Sequence, residues 1–255
     1  MKNSNVEHSL SKVPEATAVF WIVKILATTL GEVGGNLLSM NMGLGYLQAT
    51  LILATVFVLL AVAQIRARAF HPWLYWTTIV ASTTAGTTLA DYVTRSIGIG
   101  YAGGSVLLFS MVLASLAAWR ITLGAISADT IGDRRTESFY WLTITFSQTL
   151  GTALGDWFAD TAGFGYLGST LIFGAALLVI LYLHWRRLVD GKLLFWAAFI
   201  LTRPLGAVVG NFFDKANLGG LGLDRTWIVA CLFILMAIAL VVLPQRAGPN
   251  QERNT

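Results

Sequence analysis

The chain has 255 residues, of which 56% are hydrophobic and 12% charged, and its mean hydropathy is +0.69. An ordinary soluble domain carries about a quarter charged residues, so this composition excludes a soluble globular protein and points to an integral membrane one. The formal net charge of +4 comes from loop lysines and arginines, and nothing else in the sequence favours a nucleic-acid partner.

Eight apolar stretches follow one another, at 16–38, 47–65, 73–93, 104–119, 138–158, 166–183, 193–213 and 227–243. Each is near the ~20 residues with which a helix crosses ~30 Å of hydrocarbon, so eight transmembrane helices are predicted. Lys2 and Lys12 precede the first stretch as in a signal peptide, but Lys24 and Glu32 interrupt it and no small-residue cleavage site is evident. It is therefore read as a mature helix. With the N-terminus inside, one face collects Lys2, Lys12, Arg66, Arg68, Arg120, Arg134, Arg135, Arg186, Arg187, Lys192, Arg246 and Arg253, against Arg95, Lys215 and Arg225 on the other. Both termini are thus expected in the cytoplasm, with a tail over 1–15, one membrane domain over 16–244 and a second tail over 245–255.

The odd-numbered stretches are copies of one another. Phe20-Trp21, Tyr75-Trp76, Tyr140-Trp141 and Phe195-Trp196 open them, and shifts of 55, 65 and 55 residues superpose the four segments without a gap. Ten residues after each Trp stands Gly31, Gly86, Gly151 or Gly206; four further on, Gly35, Ala90, Gly155 or Gly210; and directly after that Asn36, Asp91, Asp156 or Asn211. Gly-x-Gly-Tyr closes three copies, at 43–46, 98–101 and 163–166, and the fourth degenerates to "NLGGLG". The copies span about 19–70, 73–123, 138–188 and 193–244. A two-helix repeat returns the chain to its starting side, so the fold class is an all-α integral membrane protein of eight transmembrane helices, arranged as four parallel repeats about an axis along the membrane normal.

On these columns the chain resembles the bacterial membrane proteins built from four tandem copies of a repeat of unknown function, the DUF347 family, in which each copy has two membrane helices and a characteristic tryptophan. The resemblance runs from Val19 to about Leu243. It implies an eight-helix bacterial membrane protein, expected in the cytoplasmic (inner) membrane, and it carries no established function.

Glycines four apart read as close helix packing, the Trp column as an aromatic belt at the cytoplasmic interface, and Gly-x-Gly-Tyr as tight turns. The Asn/Asp column points to chemistry. Residues seven and four positions earlier share its helix face, which groups Thr29, Glu32 and Asn36, then Thr84, Thr87 and Asp91, then Thr149, Thr152 and Asp156, with Pro204, Ala207 and Asn211 in the fourth copy. Ionisable groups inside a membrane usually face a bundle interior or a hydrated cavity, so these stripes predict a polar centre lined by the odd helices. Lys24 is expected to snorkel toward the headgroups. Glu32 and Arg203 are expected to form an interior ion pair or gate. Four residues past the Asn/Asp column stand Met40, Arg95, Asp160 and Lys215, which predicts salt bridges of Asp160 with the bases of neighbouring copies.

The histidines, His8, His71 and His184, fall at predicted helix ends or tails, so no bis-histidine haem site can be built. One cysteine, Cys231, excludes an internal disulfide and a multi-thiolate metal site. No HExxH, GxSxG or Walker pattern occurs, so no enzyme and no cofactor are expected. Two functions remain. The first is a transporter or channel for a small cation, with Asp91 and Asp156 binding Mn²⁺, Mg²⁺ or protons and Asn36, Asn211 and the threonines supplying neutral oxygens. The second is a non-transporting scaffold or sensor, whose 120–137 loop meets a partner. The expected surroundings are a lipid bilayer and, in either case, a possible homo-oligomer.

Overall fold

In the computed structural model residues 12–124, 126 and 134–248 are described; the two tails and the 120–137 loop lie partly outside them. The described residues form eight helices: α1 (Ala18–Asn36), α2 (Gly45–Arg66), α3 (Pro72–Asp91), α4 (Gly100–Leu123), α5 (Arg134–Asp156), α6 (Gly165–Trp185), α7 (Gly191–Asp214) and α8 (Arg225–Val242). Their ends follow local chemistry. Thr17 accepts from Phe20 N to start α1, Pro72 opens α3, and Asp190 and Asp224 cap α7 and α8 through Lys192 N and Thr226 N. Helices α1, α3 and α5 each run on into a five-residue π-helical turn, at Leu37–Asn41, Tyr92–Ser96 and Trp157–Thr161. The paired glycines that follow take the left-handed conformation, with φ of 70° and 69° at Gly43 and Gly45 and similar values at Gly98, Gly100, Gly163 and Gly165, which reverses the chain into the next helix.

The odd helices close a ring, α1 on α3, α3 on α5, α5 on α7 and α7 back on α1. The even helices lie outside it: α2 covers α3, α4 covers α5, α6 covers α7 and α8 covers α1. The sequence repeat is thus not the packing unit, because the second helix of each copy shields the first helix of the next.

The glycine columns set the ring's diameter. A Cβ at Gly31 would overlap Thr83, one at Gly151 would overlap Arg203, one at Gly206 would overlap Thr28, and one at Gly86 would meet the Gln148 and Thr149 backbone at 3.1 Å. Each of these partners begins the same turn of the following helix, so one contact is repeated four times around the axis. Small residues here let backbones approach closely.

Six helices are long and apolar enough to cross a membrane, namely α1 with its π turn, α2, α4, α6, α7 and α8. Helices α3 and α5 have spanning length, at 20 and 23 residues, but carry many hydroxyl side chains among their aliphatic ones. They are ring helices, and their polar groups are largely buried within the protein. The outer helices are the reverse, with Leu51, Leu59, Val106, Phe109, Leu171, Leu178, Phe233 and Ile234 all exposed.

Candidate functional site

One helix face of each ring helix carries residues three, seven, eleven and fifteen positions after the repeat's tryptophan. These positions stack into layers along the axis.

At the tryptophan end the ring is shut by aromatics in rotation. Phe20 packs on Trp76 (5.5 Å between centroids), Tyr75 on Trp141 (5.9 Å), Tyr140 on Trp196 (6.3 Å) and Phe195 on Trp21 (5.7 Å). The hydroxyls of Tyr75 and Tyr140 share a 2.7 Å hydrogen bond. For two of the four column members this corrects the expected aromatic belt: Trp76 and Trp141 are buried against the neighbouring helix, while Trp21 and Trp196 are half-buried.

The middle layer is built on Arg203. It stands beside Pro204 in α7, and its side chain is fully buried. Its Nη1 and Nη2 donate to Glu32 Oε2 on α1, both at 3.2 Å. Nη2 also donates to the Thr87 hydroxyl (2.7 Å) and the Thr83 carbonyl (3.3 Å) on α3, and to the Thr152 hydroxyl (2.5 Å) on α5. Thr87 and Thr152 in turn donate to Glu32 Oε2, at 3.1 and 3.2 Å. One guanidinium therefore touches all four ring helices, and it can do so only at the axis. The expected Glu32–Arg203 pair is present.

The third layer holds the Asn/Asp column, all four members buried. Asn36 Nδ2 donates to Asn211 Oδ1 (3.1 Å) and to Asp214 Oδ2 (2.9 Å), and Asn211 Nδ2 donates to Asp156 Oδ1 (2.9 Å). Arg95 joins the carboxylates: Nη2 donates to Asp156 Oδ2 at 2.9 Å, and Nε lies 2.9 Å from Asp91 Oδ1 in a contact too bent for a hydrogen bond. Lys215 Nζ stands 3.8 Å from Asp156, while Asp214 pairs with Arg225 at 2.7 Å and Arg225 donates to Asn41. Burial opposes the charge of Lys215, which lies just past α7, but the Asp156, Asp91 and Glu32 carboxylates and the Tyr166 phenol together outweigh it and hold the ammonium above its ordinary value. Tyr101 and Tyr166 lie beside Arg95 and Lys215, with cation-to-centroid distances of 5.5 and 5.7 Å.

Several expectations need correction. Asp160 is exposed, and among the described residues no basic side chain pairs with it. From the shared register the long Arg95 and Lys215 fold inward to Asp156, and a short aspartate cannot span that distance. At Asp91 and Asp156, where a cation was expected, the Arg95 guanidinium pairs with both carboxylates, and among the described residues no group of three His, Cys, Asp or Glu could hold a metal ion. Thr84 and Thr149 do not join the charged layers, since their hydroxyls donate to Val80 and Thr145 carbonyls one turn back in their own helices. Thr29 is buried and reaches neither charged layer through a hydrogen bond. Lys24 does not snorkel. It is fully buried, with Nζ 3.4 Å from the Phe199 ring centroid, because the aromatic layer stands between it and the end of the bundle.

The sequence reading missed Thr83, Gln148, Asn41 and Arg225 as site residues. Thr83 and Gln148 share the column of Thr28 and Arg203, so following that column through all four copies finds them. Asn41 and Arg225 lie outside the aligned columns and leave no such trace.

The fold and these layers define a class: an all-α protein of four tandem two-helix repeats, closed about a polar axis. The family described as "Repeat of Unknown Function (DUF347)" matches this chain four times, over residues 19–70, 74–125, 139–188 and 194–244, and the chain belongs to it. Neither the curated proteins nor the solved structures yield a match.

Proposed function

We propose that this chain is an eight-span integral membrane protein that carries a small ion along the axis of its ring. The observation that carries the reading is the inverted polarity: charged and amide side chains stack along the centre, and the outer helices expose aliphatic ones. Such interior charge in a lipid-facing bundle marks ion pathways more often than structural cores. The tryptophan end faces the cytoplasm in this reading. Arg66, Arg68, Arg120, Arg186, Arg187, Lys192 and Arg246 gather there, and Arg95, Lys215 and Arg225 at the opposite end are all engaged with carboxylates. A bacterial inner membrane suits that orientation.

The axis is closed by aromatics, by Arg203–Glu32 and by the Asn/Asp layer, so the protein is a carrier with gates in preference to an open channel. Of the cations considered, a proton fits best. Protonation of Asp91 or Asp156 loosens the hold on Arg95 without any coordination sphere, and Mn²⁺ or Mg²⁺ would need six oxygen ligands in place of the Arg95, Asn211 and Lys215 contacts. A second reading, the scaffold, draws on one observation: the carboxylates of this layer are met by Arg, Lys or Asn of the same chain.

The test is proton flux in proteoliposomes loaded with a pH-sensitive dye, with Mn²⁺ or Mg²⁺ salts and sodium salts of small anions outside in turn. The double variant Asp91→Asn, Asp156→Asn nearly keeps the shape of the layer and should insert and fold yet lose flux about tenfold or more. Undiminished flux takes the carboxylates out of the mechanism, and failure to fold favours the scaffold.

A further inference from the structure

The two charged layers differ in their balance. In the Asn/Asp layer three bases, Arg95, Lys215 and Arg225, meet three acids, Asp91, Asp156 and Asp214. Between that layer and the aromatic floor, Lys24 and Arg203 face Glu32 alone, and Arg203 takes it. Lys24 is left over. Its ammonium nitrogen is fully buried and makes no hydrogen bond or ion pair.

Other free polar groups share this level. Phe199, whose ring lies against Lys24, is four residues before Arg203, about 6 Å along the same helix. The Arg203 Nε makes no hydrogen bond, although Nη1 and Nη2 are both engaged. Gln148 occupies on α5 the register of Arg203 on α7. It too is fully buried, and neither end of its amide has a partner. The walls at the Lys24 register are Ile79, Ile144 and Phe199, all buried. An unpaired charge in an apolar wall is costly unless something compensates it. The unsatisfied groups are mostly donors, a lysine amine, a guanidine N–H and an amide NH₂, and an anion held among them would compensate the charged form of Lys24.

We propose that the axis of the ring, between the aromatic floor and the Arg203–Glu32 bridge, binds one small monovalent anion through Lys24, Arg203 Nε and Gln148. A divalent anion would leave uncompensated negative charge, and a bulky one cannot fit a ring whose glycines already touch the next helix. As a second substrate carried with the proton, the anion rests on the reading above; as a binding site it stands without it.

The experiment uses purified full-length protein in detergent, titrated with sodium chloride, nitrate or acetate against sodium gluconate at constant ionic strength. Tryptophan fluorescence and the thermal midpoint report binding, since a ligand held only by the folded state raises the midpoint. At least one small anion should bind saturably. Lys24→Met should weaken it tenfold or more, Gln148→Leu several-fold, and Lys24→Arg should retain it. Should Lys24→Met fail to fold, Gln148→Leu and Lys24→Arg decide the matter by the same criteria. The absence of saturable binding by the unaltered protein, or Lys24→Met and Gln148→Leu binding like it, overturns the site. Binding without flux in proteoliposomes would sink the carrier and leave the site; flux with no saturable binding would do the reverse.

Discussion

The Arg203–Glu32 bridge can be tested quantitatively by a double-variant cycle. Glu32→Gln leaves a fully buried guanidinium facing a neutral amide, and removing one partner of a buried pair costs about 3–5 kcal/mol. Arg203→Met keeps most of the side-chain stem against Gly151 but strands the Glu32 carboxylate, at a cost of the same order. The combined variant strands neither charge. Its remaining losses are small, because Thr87 keeps the Thr83 carbonyl at 3.0 Å as an acceptor. The double variant should therefore be no less stable than either single one, which amounts to a coupling of about 3 kcal/mol, at the top of the range for residues in contact. Reversible unfolding in mixed micelles with a rising fraction of SDS, followed by tryptophan fluorescence, measures all four corners. Ordinary hydrogen bonds between membrane helices couple by about 0.6 kcal/mol on average, so a value that low would refute the buried ion pair.

The other predictions concern the aspartates and the ring glycines. Asp160→Asn should shift stability by less than about 0.5 kcal/mol, as expected of an exposed position with which no basic side chain among the described residues pairs. Asp156→Asn should cost about 2 kcal/mol through its charged hydrogen bonds to Arg95 and Asn211, tempered by the partial exposure of Arg95; the same micelle titration compares the two. Gly206→Ala pushes a methyl into Thr28, and Gly174→Ala on α6 meets nothing within 4 Å. Thermal midpoints should therefore fall for the first, by about 1–3 kcal/mol of overpacking, and rise slightly for the second through helix propensity.

The repeat, the helix count and the inward face of the odd helices were legible because they depend on periodicity, which four copies repeat. Pairing in the charged layers was legible only where two side chains had no other outlet, as with Glu32 and Arg203. It failed for Asp160, since a column aligns backbones and says nothing about reach: Arg95 and Asp160 share a register, but only the arginine is long enough to return to the axis. Lys24 was misread for a related reason. Snorkelling supposes a lipid-facing side chain, and the residue's place on the ring-facing side, closed off by Phe20 and Trp76, emerges only once α1 is packed against α3 and α7.

The same columns separate structure from chemistry. Where the four copies agree, at the tryptophan and its aromatic neighbour and at the two small-residue positions, the contacts repeat around the axis and hold the ring. Where the copies disagree, the columns face the axis: Lys24, Ile79, Ile144 and Phe199 at one level, Thr28, Thr83, Gln148 and Arg203 at the next, then Glu32, Thr87, Thr152 and Ala207. A symmetric axis cannot place four identical charges together without repulsion, so a charged centre requires that the copies diverge there. Divergence in an axis-facing column of a repeat protein is therefore where its specific chemistry should be sought, and in this chain it leads to Lys24, Arg203 and Glu32.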